Sequence, residues 1–151
     1  MKLHPDFSDL LVEFARENVR YVLLGGYAVG FHSEPRATKD LDLLVSPSQE
    51  NRERVQMALA RFGAPANLVH AAGSLKDSEI LFLGQAPVRI DILTRADGIE
   101  TESAIDRAIE GSIDGIAIRI IRLDDLIANK VASGRPQDLA DVQRLKAFSE
   151  N

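Results

Sequence analysis

The chain has no cysteine and no tryptophan, and its three histidines, His4, His32 and His70, lie far apart without ligand-like spacing. The missing thiols exclude disulfides, thiolate catalysis, iron–sulfur clusters and cysteine-based zinc sites. Aromatic residues are scarce, with Phe 6 and Tyr 2, which leaves few stacking platforms for an extended single strand of nucleic acid. Basic residues are also in deficit: 18 Lys and Arg stand against 23 Asp and Glu, a formal net charge of −5. That balance argues against a broad basic surface and confines any nucleic-acid contact to a local groove. Long apolar runs are absent. The uncharged stretch 21–33 is too short to span a bilayer and holds three glycines. The start, Met1 to Asp6, lacks the apolar segment of a signal peptide. These absences predict a cytoplasmic protein that makes no use of a membrane.

What is present suffices for a core. The chain has 151 residues, 45% of them hydrophobic, within the ~100–200 residues of an ordinary domain. A single domain over 1–151 is expected, with a helical C-terminal part at about 123–148. Helical spacing of Phe7, Leu10, Leu11 and Phe14 predicts a helix from Asp6 to Asn18, with Asp6 as its cap. Val19 to Leu24 reads as a buried strand, ended by Gly25 and Gly26, with a short helix from Tyr27 to His32. Asp40 to Val45 is a second strand. Ser46 and Pro47 then suit the cap and first position of a helix that Gly63 terminates. Residues 64–78 read as loop, with a short extended piece around Leu68 and Val69. Glu79 to Leu83 and Val88 to Leu93 read as strands, Thr101 to Glu110 as helix and Ile116 to Ile121 as strand. Two last helices, Asp124 to Ala132 and about Gln137 to Phe148, flank a break at Ser133 to Pro136. The fold class is α/β (α+β): a mixed sheet flanked by helices.

Chemistry concentrates in Leu23 to Tyr27 and Arg36 to Val45. Side chains alternate across a strand, so Asp40 and Asp42 share one face while Leu41 and Leu43 take the other. Their stems lie ~6.6 Å apart, close enough for the carboxyl groups to converge on a hard divalent cation. In Arg89 to Leu93 the same device recurs, with Ile90 and Ile92 directed to the core and Asp91 opposite. Carboxylates on central strands are costly to desolvate unless paired or metal-bound. A solvated strand face, or an exposed edge for Asp91, is the plainer alternative. Gly25 and Gly26, between a strand and a helix, let a backbone and its amide donors approach a phosphate closely; a tight strand-to-helix turn would use the same residues.

The ordered set of Gly25-Gly26, then Arg36-x-Thr38-x-Asp40-x-Asp42, then Asp91, resembles the nucleotidyltransferase superfamily of DNA polymerase β. It is similar above all to small stand-alone bacterial members, including those related to abortive-infection toxins. The tail, Leu123-Asp124-Asp125-Leu126-Ile127-x-x-Lys130 followed by Gly134-Arg135-Pro136-x-Asp138-x-x-Asp141, is also similar to that group. The resemblance implies that Asp40, Asp42 and Asp91 are catalytic and bind Mg2+, or Mn2+ in its place. It implies that Gly25 and Gly26 hold the triphosphate, with Arg36, Thr38 and Lys130 as contacts to phosphate or substrate. The implied reaction moves a nucleoside monophosphate from an NTP to an acceptor hydroxyl, releasing pyrophosphate. RNA (a tRNA end in particular), a protein hydroxyl and a small molecule are the implied acceptors, and a homodimer or partner protein could complete the acceptor site. Many relatives have Gly-Ser where this chain has Gly25-Gly26, so a hydroxyl contact to phosphate is missing. The rival reading is a non-catalytic module of a toxin–antitoxin pair that keeps the fold. For Asp138, a place in the first turn of the last helix favours a structural role.

Overall fold

A computed structural model describes residues 1–150. Helix α1 (Pro5–Arg16) buries Phe7, Leu10, Leu11 and Phe14, each worth roughly 1.5–3 kcal/mol on leaving water. Its cap is His4, whose side chain accepts from the Asp6 amide, and Pro5 opens the first turn. Asp6 is therefore a first-turn acid and not the cap, a role that complements the helix dipole. The chain turns back at Asn18, in the left-handed region at φ 54°, and enters strand β1 (Tyr21–Leu24), buried at every position.

Helix α2 (Gly25–His32) begins on the two glycines themselves, two residues earlier than the sequence suggests. Strand β2 (Asp40–Val45) keeps its expected limits. Helix α3 (Gln49–Phe62) is capped by Ser48, which accepts from the Asn51 amide, and not by Ser46. The cause is the buried Asn51: its amide donates to the carbonyls of Arg20 and Ser46 and accepts from the Arg20 N–H. Ser46 is thereby held in the incoming loop. Gly63 closes α3 in the left-handed conformation, as expected.

Helix α4 (Ala66–Ala72) replaces the loop expected there. With only Ala72 buried among seven residues, it has no apolar stripe to betray it. Strands β3 (Ile80–Gln85) and β4 (Val88–Leu93) form a hairpin. Helix α5 (Thr101–Asp106) is shorter than expected, because residues after Ala108 belong to strand β5 (Ile109–Ile113). That strand pairs with β6 (Ile116–Ile120) across Asp114 and Gly115, both at positive φ, the requirement of a two-residue hairpin turn. Helices α6 (Leu123–Ser133) and α7 (Pro136–Ser149) meet at Gly134, which is left-handed.

The six strands form one mixed sheet in the order β3-β4-β2-β1-β6-β5. β1 runs antiparallel to β2 and parallel to β6, and β2 runs parallel to β4. Leu41, Leu43, Ile90 and Ile92 point into the core, each at most 2% exposed. This register has one consequence for function. Leu24 pairs with Asp42, Asp42 with Asp91, and Asp91 with Phe82, so these four side chains form a row across the opposite face. The next row contains Asp40 and Arg89. No helix among the described residues is long and apolar enough to cross a membrane.

Candidate active site

Asp40 and Asp42 leave the same face of β2, and Asp91 stands directly opposite Asp42 on the parallel neighbour β4. The neighbouring strands lie ~4.8 Å apart, so the two carboxylates are unavoidable neighbours. Asp91 is only 7% exposed, which a free edge carboxylate would not be.

The charge of this cluster is offset unevenly. Arg89 lies two residues before Asp91 on the same face, and its Nε donates to Asp91 Oδ1 at 2.7 Å. Its Nη2 donates to Asp91 Oδ2 at 3.0 Å and to Asp40 Oδ2 at 3.1 Å. The fork raises the Arg89 pKa above its ordinary value, chiefly through the bond to Asp91. The guanidinium also lies 4.8 Å from the centre of the Phe82 ring. Asp42 has no such cation: among the described residues, no Arg, Lys or His pairs with it. Burial first, and then the charges of Asp91 and Asp40, push its pKa up to about 6, against a weaker pull from Lys130.

Gly25 sits against Asp42 at φ +69°, and a β-carbon there would collide with Asp42 Oδ2. Only glycine combines that backbone angle with that approach. Gly26 packs on Thr38, whose methyl would lie 2.7 Å from an added β-carbon. The first amides of α2 have no intrahelical acceptor, as at any helix start, and they open beside the carboxylates.

The segment 35–39 forms the outer wall. Tyr27 Oη donates to the Thr38 carbonyl at 3.3 Å. Arg36 forks onto Asp141 of α7, with Nη1 to Oδ1 at 2.7 Å and Nη2 to Oδ2 at 3.3 Å. Lys130 of α6 is buried, and its Nζ donates to Asp141 Oδ2 at 3.0 Å and to Asp138 Oδ1 at 3.4 Å. Burial is the largest single influence and would raise the pKa of both acids; the bonds and charges of Arg135 and Lys130 together outweigh it at Asp138, and those of Arg36 and Lys130 together outweigh it at Asp141, so both stay below the usual carboxylate value. Asp138 also accepts from the Arg135 amide and so closes the start of α7. The structure thus gives Arg36 and Lys130 partners within the protein. It brings Asp40, Asp42, Asp91, Gly25, Gly26, Arg36, Thr38 and Lys130 to the wall of one cleft of about 580 Å³. A second cleft of about 470 Å³ opens from the other side of Asp42 and Asp91, toward Ile80, Leu93 and Asn129.

Arg89 was not singled out by the sequence, although alternation alone puts it on the face of Asp91, two residues on. Asp141 likewise carried a signal only as part of the tail motif.

No three acidic or imidazole groups among the described residues are arranged as a ready metal site, and the Arg89 fork holds oxygens of Asp40 and Asp91. The donor chemistry still suits a hard divalent ion. Three carboxylates share one face, one of them lacks a cation, and a cation is already drawn in among the other two.

Carboxylates on parallel neighbours beside a glycine-led helix start are the arrangement that the resemblance to the nucleotidyltransferases implies. Solved structures share the fold. The antibiotic-resistance factor ANT(2'')-Ia in solution matches with a TM-score of 0.64 and 17% identity over 97% of this chain and 83% of that one. The lincosamide antibiotic adenylyltransferase LnuA, with lincomycin bound, matches with a TM-score of 0.61 and 16% identity over 97% and 98%. An antigenic nucleotidyltransferase-like protein from Paracoccidioides brasiliensis gives 0.56 and 15% over 91% and 72%. Such identities establish the fold. No curated protein sequence matches the chain at a significant level. The family is set by residues 9–151, which match the profile described as nucleotidyl transferase AbiEii toxin, Type IV TA system. The chain belongs to that family and is a nucleotidyltransferase of the toxin–antitoxin class.

Proposed function

We propose that the protein moves a nucleoside monophosphate from an NTP to an acceptor hydroxyl in a reaction that depends on a divalent metal. The observation that carries this reading is the in-register pair of Asp42 and Asp91, with the Asp42 charge uncompensated beside Gly25. Asp40, Asp42 and Asp91 would hold Mg2+, or Mn2+ in its place. When bound, such ions neutralise charge on the phosphates and raise the acidity of a coordinated hydroxyl.

The protein's own groups orient the reactants. Amides of Gly25 and Gly26 and the early turn of α2 face the triphosphate. Thr38 and the wall 35–39 close the same cleft, with Arg36 tying that wall to α7 and Lys130 tying α6 to α7. The acceptor enters from the Ile80 and Asn129 side, so that its oxygen reaches the α-phosphorus near Asp91. Asp91 takes the hydroxyl proton as the new phosphorus–oxygen bond forms and the bond to pyrophosphate breaks. The reading treats residues 1–151 as one nucleotidyltransferase domain that works in the cytoplasm, with an antitoxin as its protein partner.

The test is incubation with each α-32P-labelled NTP, Mg2+ and a cell extract, comparing the wild type with Asp40→Asn and Asp42→Asn. Label on an acceptor with the wild type alone supports transfer. Separation of labelled RNA, protein and small molecules then identifies the acceptor class. No label with Mg2+ or Mn2+, and no nucleotide bound, overturns the proposal.

A further inference from the structure

The Arg89 fork is difficult to reconcile with carboxylates that are simply waiting for metal. It satisfies three of the four oxygens of Asp40 and Asp91 that the ions would need. We propose that Arg89 is a built-in counter-ion: it holds Asp40 and Asp91 in the metal-free protein, yields them to the divalent cation, and then binds the nucleotide's phosphates. The inference rests on the reading of the three aspartates as metal ligands.

Five points support it. The guanidinium makes three charge-assisted bonds of 2.7–3.1 Å to the two acids, so it competes for the same oxygen atoms as a metal. One guanidinium offsets one of three carboxylate charges, and a divalent ion offsets two, so exchange relieves more repulsion. The Arg89 side chain is 33% exposed and leaves the face of the sheet opposite Ile90 and Ile92, so it can move without opening the core. Its neighbour on β3 is Gly84, which leaves room beside the stem, and Phe82 offers a face on which the guanidinium already rests. Arg89 also lines the cleft shared by Gly25, Gly26, Thr38 and Lys39, where a triphosphate would lie. A released guanidinium at that rim meets phosphate oxygens with the fork geometry that suits them.

Two opposed effects follow from one residue. Removing Arg89 abolishes a competitor for metal and also removes a contact to nucleotide. A merely structural Arg89 would move neither in this pattern.

The test is titration of metal-free protein with Mn2+ alone, followed by free-Mn2+ electron paramagnetic resonance, for the wild type, Arg89→Met, Arg89→Lys and Asp42→Asn. Arg89→Met keeps an apolar stem over Phe82, and Arg89→Lys keeps the charge without the fork. If the fork is closed about nine-tenths of the time, Arg89→Met binds Mn2+ about tenfold tighter than the wild type. Arg89→Lys falls between them. With Mn2+ saturating, the dissociation constant for α,β-methylene ATP, or for the GTP, CTP or UTP analogue that binds best, rises several-fold in Arg89→Met. Equal or weaker Mn2+ binding by both Arg89 variants, with binding still lost in Asp42→Asn, overturns this inference and leaves the metal reading intact. Absence of Mn2+ binding in every protein overturns the metal reading and this one with it.

Discussion

Asp42 and Asp91 face each other across two parallel strands, yet only Asp91 is given a cation. Arg89 takes both oxygens of Asp91 and leaves Asp42 to a buried environment that raises its pKa to about 6. The asymmetry leaves the protein with a buried carboxylate charge it would be more stable without.

The first prediction concerns pH. The folded pKa of Asp42 lies above its unfolded value of 3.8, so the native state binds the proton more tightly and loses stability as the pH rises from about 4 to 6. Asp42→Asn removes that loss. The variant should therefore be more stable than the wild type above pH 6, by on the order of 1–3 kcal/mol, with the gain fading to nothing near pH 4. Urea unfolding in EDTA across pH 4–8 measures it. A gain that is the same at pH 4 as at pH 8 would contradict the uncompensated charge as its cause.

Much of this site could be read from the sequence because strand alternation is a local rule. It fixes Asp40 and Asp42 on one face and Asp91 opposite Ile90 and Ile92 without knowledge of the fold. Pairing between strands is not local. That Asp42 meets Asp91, and that Arg89 meets Asp40, follows from a register set by the hydrophobic pattern of the whole sheet. The partners of Arg36 and Lys130 were hidden for the same reason: Asp141 lies 105 and 11 residues away from them. Among the elements, α4 has no apolar stripe, and the start of β5 has the sequence pattern of a helix end because Ile105, Ala108 and Ile109 fit helical spacing. Gly111 lies beyond that reading, in β5, where a β-carbon would meet the Phe31 ring at 2.9 Å.

Lys130 carries the second prediction. Its amine serves two acids that are 2% and 3% exposed, Asp138 and Asp141. Lys130→Met leaves each with a single arginine. Breaking a buried pair costs 3–5 kcal/mol when nothing replaces the partner; with Arg135 and Arg36 remaining, a loss of about 2–3 kcal/mol is expected. The urea midpoint should fall with an unchanged slope. A loss below about 0.5 kcal/mol, the size of a surface change, would show that the arginines suffice alone.

Arg36 and Asp141 make the third. Their bidentate pair ties the segment 35–39 to α7. Asp141→Asn keeps the shape and weakens the tie, so the segment should open more often while the sheet stays folded. Trypsin cleaves after Arg36 and Lys39, and cleavage there should be about five- to tenfold faster in Asp141→Asn, equivalent to about 1–1.4 kcal/mol in the opening equilibrium. Unchanged cleavage would mean that the Tyr27 bond to the Thr38 carbonyl holds the wall alone.

The two glycines separate conformational from steric demand, and they make the fourth prediction. At Gly25 both apply: φ is +69° and an added β-carbon strikes Asp42 Oδ2. Gly25→Ala should cost about 1–2 kcal/mol for the left-handed backbone alone, and it should displace Asp42 enough to reduce nucleotidyl transfer by about a hundredfold, some 2.7 kcal/mol in the barrier. No change at a neighbouring side chain can relieve the backbone cost. At Gly26 only the Thr38 side chain stands in the way, its methyl 2.7 Å and its hydroxyl oxygen 3.2 Å from the new carbon. Gly26→Ala should therefore be milder, and Thr38→Ser, which deletes that methyl, should restore most of what is lost. Transfer rates and urea midpoints for the two single variants and for Gly26→Ala/Thr38→Ser decide the matter. Failure of Thr38→Ser to rescue would place the constraint at Gly26 in its amide's approach to phosphate and not in the wall behind it.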